Sequence, residues 1–132
     1  MSVADSGLIL DVADRLFEAI ANSDIVTVEQ LFSEDVLVWH SGDTRDSAKD
    51  RAARIIDWFI NTTIERRYEV LDRQFFDGGF VQQHILHADS RNGRSIHMRV
   101  CIVIKVGTDG LITRIDEYFD PAEMAPLLDT SN

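Results

Sequence analysis

The N-terminal half of the chain carries apolar side chains at helical spacing. The first such segment repeats apolar residues every three or four positions, with charged residues on the opposite side. Its apolar positions are Leu8, Ile9, Val12, Ala13, Leu16, Phe17 and Ile20. A second, shorter helix is predicted after a cap at Ser23 or Asp24, and a third begins near Asp46 or Ser47. Between them, residues 36–40 have the pattern of a short strand.

From Ile64 onward the apolar period changes to two. Asp77-Gly78-Gly79, Asn92-Gly93 and Asp109-Gly110 separate four long β-rich runs, and successive hairpins predict an antiparallel meander. Strands of this length curl rather than lie flat. A short helical tail that starts at Pro121 can close one end. We therefore predict a single α+β domain over residues 1–132, in which a cone-shaped, curled antiparallel sheet encloses the N-terminal helices and a cavity.

The turns also predict which side chains line that cavity. If Asn92-Gly93 is a two-residue turn, Gln83 pairs with Ile102, and the same register places His87 beside Met98. A two-residue turn at Asp109-Gly110 would pair Ile102 with Glu117. The face shared by both registers carries the apolar alternation Ile96, Met98, Val100, Ile102 and Ile104. Three polar side chains are therefore expected inside, together with Val81, Ile85, Ile115 and Phe119; the three are Gln83, His87 and Glu117.

A carboxylate in such surroundings has to be explained. Burying an unpaired carboxylate is costly, so Glu117 should be paired, hydrated through the cavity, or protonated with a raised pKa. Two interpretations of Glu117 are open: a purely structural hydrogen bond in the core, or a functional role in the cavity. The same two interpretations apply to His87 and Gln83. The facing of strand 65–76 stays open, because a bulge near Asp77-Gly78-Gly79 would reverse it. Tyr68 and Arg73 are consequently undecided.

The opposite face of the predicted sheet is more apolar than a solvated surface needs to be. It would carry Phe80, His84, Leu86 and Tyr118 beside Arg99 and Arg114. We interpret it as a homodimer interface that includes Leu86, Arg99, Cys101 and Tyr118. The alternative is a set of scattered exposed apolar residues with no partner.

Charge and composition narrow the function classes. The 132 residues include 23 acidic and 13 basic side chains, a net charge of −10, so nucleic acids and anionic membranes are expected to be repelled. No apolar run could span a bilayer and the start lacks a signal peptide, which predicts a cytoplasmic protein. The lone Cys101 excludes an intrachain disulfide, and the histidines lack metal-ligand spacing. We expect neither a metal nor another cofactor.

The three helices, the curled meander and the segment DGLITRIDEYFD at residues 109–120 resemble the SnoaL-like branch of the nuclear transport factor 2-like superfamily. The resemblance implies a cystatin-like fold with a small-molecule pocket, on which many unrelated activities occur. Compared with ketosteroid isomerase, the general-base aspartate corresponds to His40. The two oxyanion-hole donors correspond to Leu16 and Ile102, so the stabilisation of an enolate by that enzyme's route is missing.

Limonene epoxide hydrolase offers a second comparison. The chain end Glu117-Tyr118-Phe119-Asp120 is similar, and the second catalytic aspartate of the hydrolase corresponds to Glu117. Its other aspartate and its arginine correspond to His87 and Ile85, so that triad is incomplete. Scytalone dehydratase is similar only in its use of inward-facing histidines.

These observations predict an acid–base enzyme of isomerase, dehydratase or cyclase type that acts on a small hydrophobic cyclic or carbonyl compound. His40 and Glu117 are the main catalytic candidates, and His87 is secondary. The predicted ligand-binding residues are Leu16, Gln83, Ile85, Met98, Val100, Ile102 and Phe119. The alternative is a domain without catalytic activity, which binds a small ligand or serves as a dimeric accessory module.

Overall fold

A computed structural model describes residues 4–128 of the chain. It contains four α-helices, one 3-10 turn and five strands in these residues. In chain order they are α1 (Ser6–Ala21), α2 (Ile25–Leu31), β1 (Phe32–His40), α3 (Lys49–Thr62), β2 (Thr63–Phe76), β3 (Gly79–Ser90), β4 (Ser95–Val106), β5 (Ile112–Tyr118), the 3-10 turn (Pro121–Met124) and α4 (Ala125–Leu128). No helix of this part of the chain is long and apolar enough to cross a membrane.

The helix starts follow local capping chemistry. The carboxylate of Asp5 accepts a hydrogen bond from the backbone N–H of Leu8 at the start of α1, and Asp24, rather than Ser23, caps α2. The third helix begins at Lys49, two to three residues later than predicted. The delay has a structural cause: Ser47 exchanges two backbone hydrogen bonds with Val38, which holds the chain extended beside β1.

The sheet has the order β1-β5-β4-β3-β2 and is curled but not closed. Strands β2 to β5 form the predicted antiparallel meander, while β1 pairs with β5 in parallel. The N-terminal strand is also longer than the predicted residues 36–40. This parallel pairing brings the end of β1 beside the end of β5, where His40 lies opposite Glu117.

The predicted register between β3 and β4 is wrong by one residue. Ser90 donates a backbone hydrogen bond to the carbonyl of Arg94, which leaves a three-residue loop whose last residue, Gly93, has φ 87°. A type I turn followed by a left-handed glycine adds one residue to the two-residue hairpin that was assumed. Gln83 therefore pairs with Cys101 and not with Ile102. Every side chain of β3 consequently faces the side opposite to the one predicted.

The predicted pairing of Ile102 with Glu117 is confirmed, but the two-residue turn assumed for it is wrong. Gly107 donates its backbone N–H to the carbonyl of Leu111, which leaves a three-residue loop, and a register shift between Lys105 and Val106 compensates for the extra residue. The predicted apolar face of β4 is also confirmed: Ile96, Met98, Val100, Ile102 and Ile104 are all buried.

In β2 a bulge lies between Val70 and Asp72, several residues before the turn where one was considered. The extra residue allows Tyr68 and Arg73, which differ in parity, to face the same interior.

A buried arginine joins the helices to the sheet. Arg66 is 7% exposed, and its guanidinium donates to the carbonyl oxygens of Ile20 and Ile60 and to the hydroxyl of Thr63. These acceptors include the C-terminal turns of α1 and α3, where a cation complements the helix dipole. Burial lowers the pKa of Arg66, but arginine stays charged in proteins. Both helices are thereby held against the concave side of the sheet.

Candidate functional site

A cavity of about 340 Å³ lies among α1, α3, the inner face of the sheet and the C-terminal segment. Most of its wall is apolar, and its polar side chains are those of His40, Ser41, Asp43, Tyr68 and Glu117. The apolar wall includes Leu16, Phe17, Ile20, Phe59, Leu86, Met98, Ile102, Ile115, Phe119 and Met124. An apolar pocket with a few convergent polar groups is the usual form of a small-molecule site.

His40 and Glu117 face each other inside this cavity. They occupy partner positions on the parallel strands β1 and β5, so their side chains emerge on the same face of the sheet. His40 Nε2 lies 3.4 Å from Glu117 Oε1, with side-chain exposures of 18% and 22%. The distance is longer than a strong hydrogen bond, and a small side-chain movement would make proton exchange direct.

Asp43 orients the imidazole of His40. Its Oδ2 accepts a hydrogen bond from the backbone N–H of His40 at 2.9 Å and lies 3.2 Å from His40 Nδ1. The turn that carries Asp43 is tied to the end of β5, because Phe119 donates its backbone N–H to the hydroxyl of Ser41. With Nδ1–H directed at Asp43, the neutral imidazole presents an unprotonated Nε2 to Glu117. Sequence reasoning missed Asp43, whose only signal was a polar turn directly after His40.

Burial raises the pKa of Glu117, and the nearby His40 only partly opposes this effect. A carboxyl that retains its proton can donate it to the unprotonated Nε2 of His40. The two groups are therefore arranged to share one proton, either on the carboxyl or on the imidazole. Such an arrangement suits a pair that alternates between acid and base.

Tyr68 adds a hydroxyl to the same cavity. Its ring packs against Phe17, with centroids 4.9 Å apart. Burial and the charge of Glu117 raise the pKa of Tyr68, so its hydroxyl stays protonated at neutral pH. Within residues 4–128 this hydroxyl has no hydrogen-bond partner in the protein. It is therefore available to donate to a ligand.

The structure brings together only some of the predicted site residues. Leu16, Met98, Ile102 and Phe119 line the cavity with His40 and Glu117. Val100 is buried on the same face, outside the cavity lining. The inward facing predicted for Gln83, Ile85 and His87 is wrong, as is that of Val81, because all of them lie on the other side of β3. There His87 contacts His97 and Glu69, away from His40 and Glu117.

The same register error concealed a polar network on the inner face. Phe80, His84 and Leu86, which were predicted outside, are buried, and Leu86 lines the cavity. His84 Nδ1 accepts from the amide of Gln82 at 2.9 Å, and the carbonyl of Gln82 accepts from Arg73 Nε at 2.7 Å. Arg73 is in turn paired with Asp14.

His84 is sealed from solvent, with 0% exposure. Burial, with a smaller contribution from the charge of Arg73, lowers the pKa of His84 to about 4. Its Nε2 has no hydrogen-bond partner among residues 4–128, and its ring lies edge-on to those of Phe17 and Tyr68. In the same part of the chain, no group of three or more histidine, cysteine, aspartate or glutamate side chains is arranged to hold a metal ion.

The fold and the cavity define an α+β protein of the nuclear transport factor 2-like class. A sequence model of the SnoaL-like domain matches residues 13–115, and the chain therefore belongs to the SnoaL-like family. No curated protein sequence matches it.

The chain is similar in fold to solved structures from Penicillium brasilianum and Mycobacterium tuberculosis. PrhC from Penicillium brasilianum has a TM-score of 0.80 at 15% identity, over 92% of this chain and 86% of that one. An LEH-like epoxide hydrolase from M. tuberculosis has a TM-score of 0.75 at 19% identity, over 92% of this chain and 90% of that one. Another M. tuberculosis protein, solved in complex with estradiol-17β-hemisuccinate, has a TM-score of 0.76 at 15% identity, over 88% of this chain and 96% of that one.

Proposed function

We propose that this chain is a cofactor-independent acid–base enzyme that acts on a small hydrophobic carbonyl compound. The observation that carries the proposal is the His40–Glu117 pair, 3.4 Å apart, in a cavity whose wall is otherwise mainly apolar. A core filled by its own side chains would have no reason to hold a partly exposed carboxyl beside an imidazole and leave space in front of them. An enzyme that moves protons needs both the acid–base pair and the space for a substrate beside it.

The geometry suggests a role for each polar group. His40 Nε2 is the base that removes a proton from the carbon next to the carbonyl, and Asp43 holds the imidazole in the required orientation. The hydroxyl of Tyr68 donates a hydrogen bond to the carbonyl oxygen as negative charge develops on it. Glu117 supplies a proton to the new position, or to a departing hydroxyl, and then recovers one from His40. The net result is an isomerisation or a dehydration.

The apolar wall supports a hydrophobic substrate. A cavity of about 340 Å³ lies near the lower end of the range for small-molecule sites, roughly 300–1,000 Å³. The steroid ester held by the M. tuberculosis protein of the same fold is a ligand with a large apolar ring system. We infer that a cyclic apolar compound with one carbonyl group suits the cavity of this chain.

Exchange of α-protons tests the proposal before a substrate is known. A panel of cyclic ketones and enones is incubated with the protein in D2O, and deuterium incorporation is followed by NMR. We expect catalysed exchange that His40→Ala and Glu117→Gln each reduce by about 10²- to 10⁴-fold. His97→Gln, a histidine change on the other face of the sheet, is the matched control and should leave exchange unchanged. Exchange that persists in both cavity variants would exclude the proposed roles.

The second candidate function is ligand binding without turnover. The sealed histidine network next to the cavity favours it, because it shows that this fold also accommodates a histidine for structure alone. Under this alternative, the compounds that bind would exchange no faster with the protein than without it, and the variants at His40 and Glu117 would change affinity only.

We also propose that the outer face of the sheet forms a homodimer interface. Tyr118 is 49% exposed there and packs against Trp39, with ring centroids 5.2 Å apart, while Arg99 and Cys101 lie on the same face. Leu86 is not part of it, because its side chain lines the cavity. Light scattering of Tyr118→Glu should show a monomer where the wild-type chain is a dimer, and an unchanged mass would exclude this interface.

A further inference from the structure

A surface groove adjoins the cavity along the exposed side of α3. It is lined by Arg51, Arg54, Ile55 and Trp58 and has a volume of about 320 Å³. These residues follow the i, i+3, i+4, i+7 spacing that places side chains on one side of a helix. Ile55 and Trp58 also line the cavity, so the groove and the cavity share a wall. The two arginines therefore lie beside the wall that the groove shares with the cavity.

These arginines differ from others of the chain in having no partner in the part that the structure describes. Among residues 4–128, neither Arg51 nor Arg54 forms a hydrogen bond or an ion pair. Arg66, Arg73 and Arg114, by contrast, are all engaged with protein acceptors.

Acidic neighbours affect the two arginines differently. Arg54 also borders a second groove whose lining has three acidic residues, Glu29, Asp50 and Asp57, and one other basic residue, Lys49, whereas Arg51 does not border it. Arg51 is therefore the less compensated of the two. In a chain with a net charge of −10, exposed cations beside a mainly apolar cavity form a local site of opposite sign.

We propose that the ligand of the cavity is amphipathic and carries an anionic group, which Arg51 and Arg54 bind at the mouth. The inference rests on the proposed function, since it assumes that the cavity holds a small apolar molecule. The apolar body lies inside, the indole of Trp58 covers the point of exit, and a carboxylate, sulfonate or phosphate reaches the groove. Guanidinium groups suit such anions because they can donate two parallel hydrogen bonds.

Two fluorescent probes that differ by one charge test this proposal. Anilinonaphthalene sulfonate has the apolar rings and an anionic group, and phenylnaphthylamine is its uncharged counterpart. Dissociation constants are measured by fluorescence titration at low and high salt. In the double variant Arg51→Gln/Arg54→Gln we expect the sulfonate to bind roughly tenfold more weakly and the uncharged probe to bind as before. Arg51→Gln alone should weaken binding of the sulfonate more than Arg54→Gln alone. High salt should weaken binding of the sulfonate to the wild-type protein but not to the double variant.

The controls separate this proposal from the proposed function. Arg67→Gln/Lys105→Gln removes two charges from the opposite face of the sheet and should leave both probes unaffected, whereas Trp58→Ala should weaken both alike. An equal loss for both probes in the arginine variant, no loss for either, or the same loss in the control variant would each overturn the anion site while leaving the cavity in place. If the uncharged probe does not bind, or binds equally well to the cavity-filling Met98→Trp variant, the proposed function itself fails.

Discussion

Two histidines on the inner side of this sheet have opposite surroundings. His84 is fully buried, accepts a hydrogen bond from Gln82 and belongs to a chain of contacts that ends at Asp14 on the surface. His40 is partly exposed, lies between Asp43 and Glu117, and has a cavity in front of it. The first imidazole is held neutral by its burial, while the second sits between two carboxyl groups with space for a ligand.

The contrast shows that burial alone does not identify a catalytic histidine. His84 has the larger pKa change and an unpartnered nitrogen, features that would attract attention in a search for functional sites. Yet it is not part of the cavity lining, and its hydrogen-bond network runs through Gln82 and Arg73 to Asp14. His40 is less deeply buried than His84, but the groups around it can exchange a proton with one another and with a ligand. The candidate site is defined by accessible space and by a proton-sharing partner together.

The largest expected effect concerns His84 and acid. The pKa of His84 is about 4 in the folded protein, below the ordinary value of 6.5, so the unfolded chain binds more protons between these two values. Stability should therefore fall as the pH falls through this window, by about 3 kcal/mol in total. Urea unfolding at pH 7 and pH 4 measures this loss. His84→Leu should lose markedly less stability on acidification than the wild-type protein, whereas His97→Gln should behave as the wild type does.

A smaller effect is expected when the network is broken at Arg73. Arg73→Met removes the donor to Gln82 and the partner of Asp14, and should lower the free energy of unfolding by about 2 kcal/mol at pH 7. Asp14→Asn is the matched variant: the Asp14 side chain is 56% exposed, so the loss should be at most about 0.5 kcal/mol. Neither variant should change the affinity of an uncharged probe for the cavity. Similar losses in both variants would contradict the importance of the buried half of the network.

The smallest effect is a gain in stability from Glu117→Gln. Because the pKa of Glu117 is raised in the folded protein, its ionisation favours the unfolded chain, and this cost develops as the pH rises above the ordinary carboxyl pKa. Glutamine avoids the cost and can still donate to His40 Nε2. We expect Glu117→Gln to unfold at higher urea concentration than the wild type at pH 8 and to show little difference at pH 4. Glu65→Gln, a change at an exposed carboxylate, should be neutral at both. A stability gain together with lost α-proton exchange would identify Glu117 as a group kept for function at the expense of stability.

The sequence predicted the β4–β5 half of the site better than the β3 half, for a local reason. The loop at Asp109-Gly110 also has three residues, because Gly107 donates its backbone N–H to the carbonyl of Leu111. A register shift between Lys105 and Val106 then restores the assumed pairing of Ile102 with Glu117, so the predicted inward direction of Glu117 is correct. At Asn92-Gly93 the loop likewise has one more residue than assumed, and no register shift between β3 and β4 compensates for it. Dipeptides ending in glycine suit both the two-residue and the three-residue loop, and only the packing of β3 against the helices distinguishes them. Gln83, Ile85 and His87 were assigned to the wrong face for this reason, and Gln82, His84 and Leu86 were missed.

By itself, the sequence determined the α+β class, the three N-terminal helices, the four-stranded meander and the inner face of β4, because these depend on apolar periodicity within single segments. Only the tertiary structure decided that β1 runs parallel to β5, which places His40 opposite Glu117, and that a bulge after Val70 brings Tyr68 inside. Pairing between distant segments depends on packing across the whole core, and a one-residue change in a loop costs little locally while it reverses the facing of a strand.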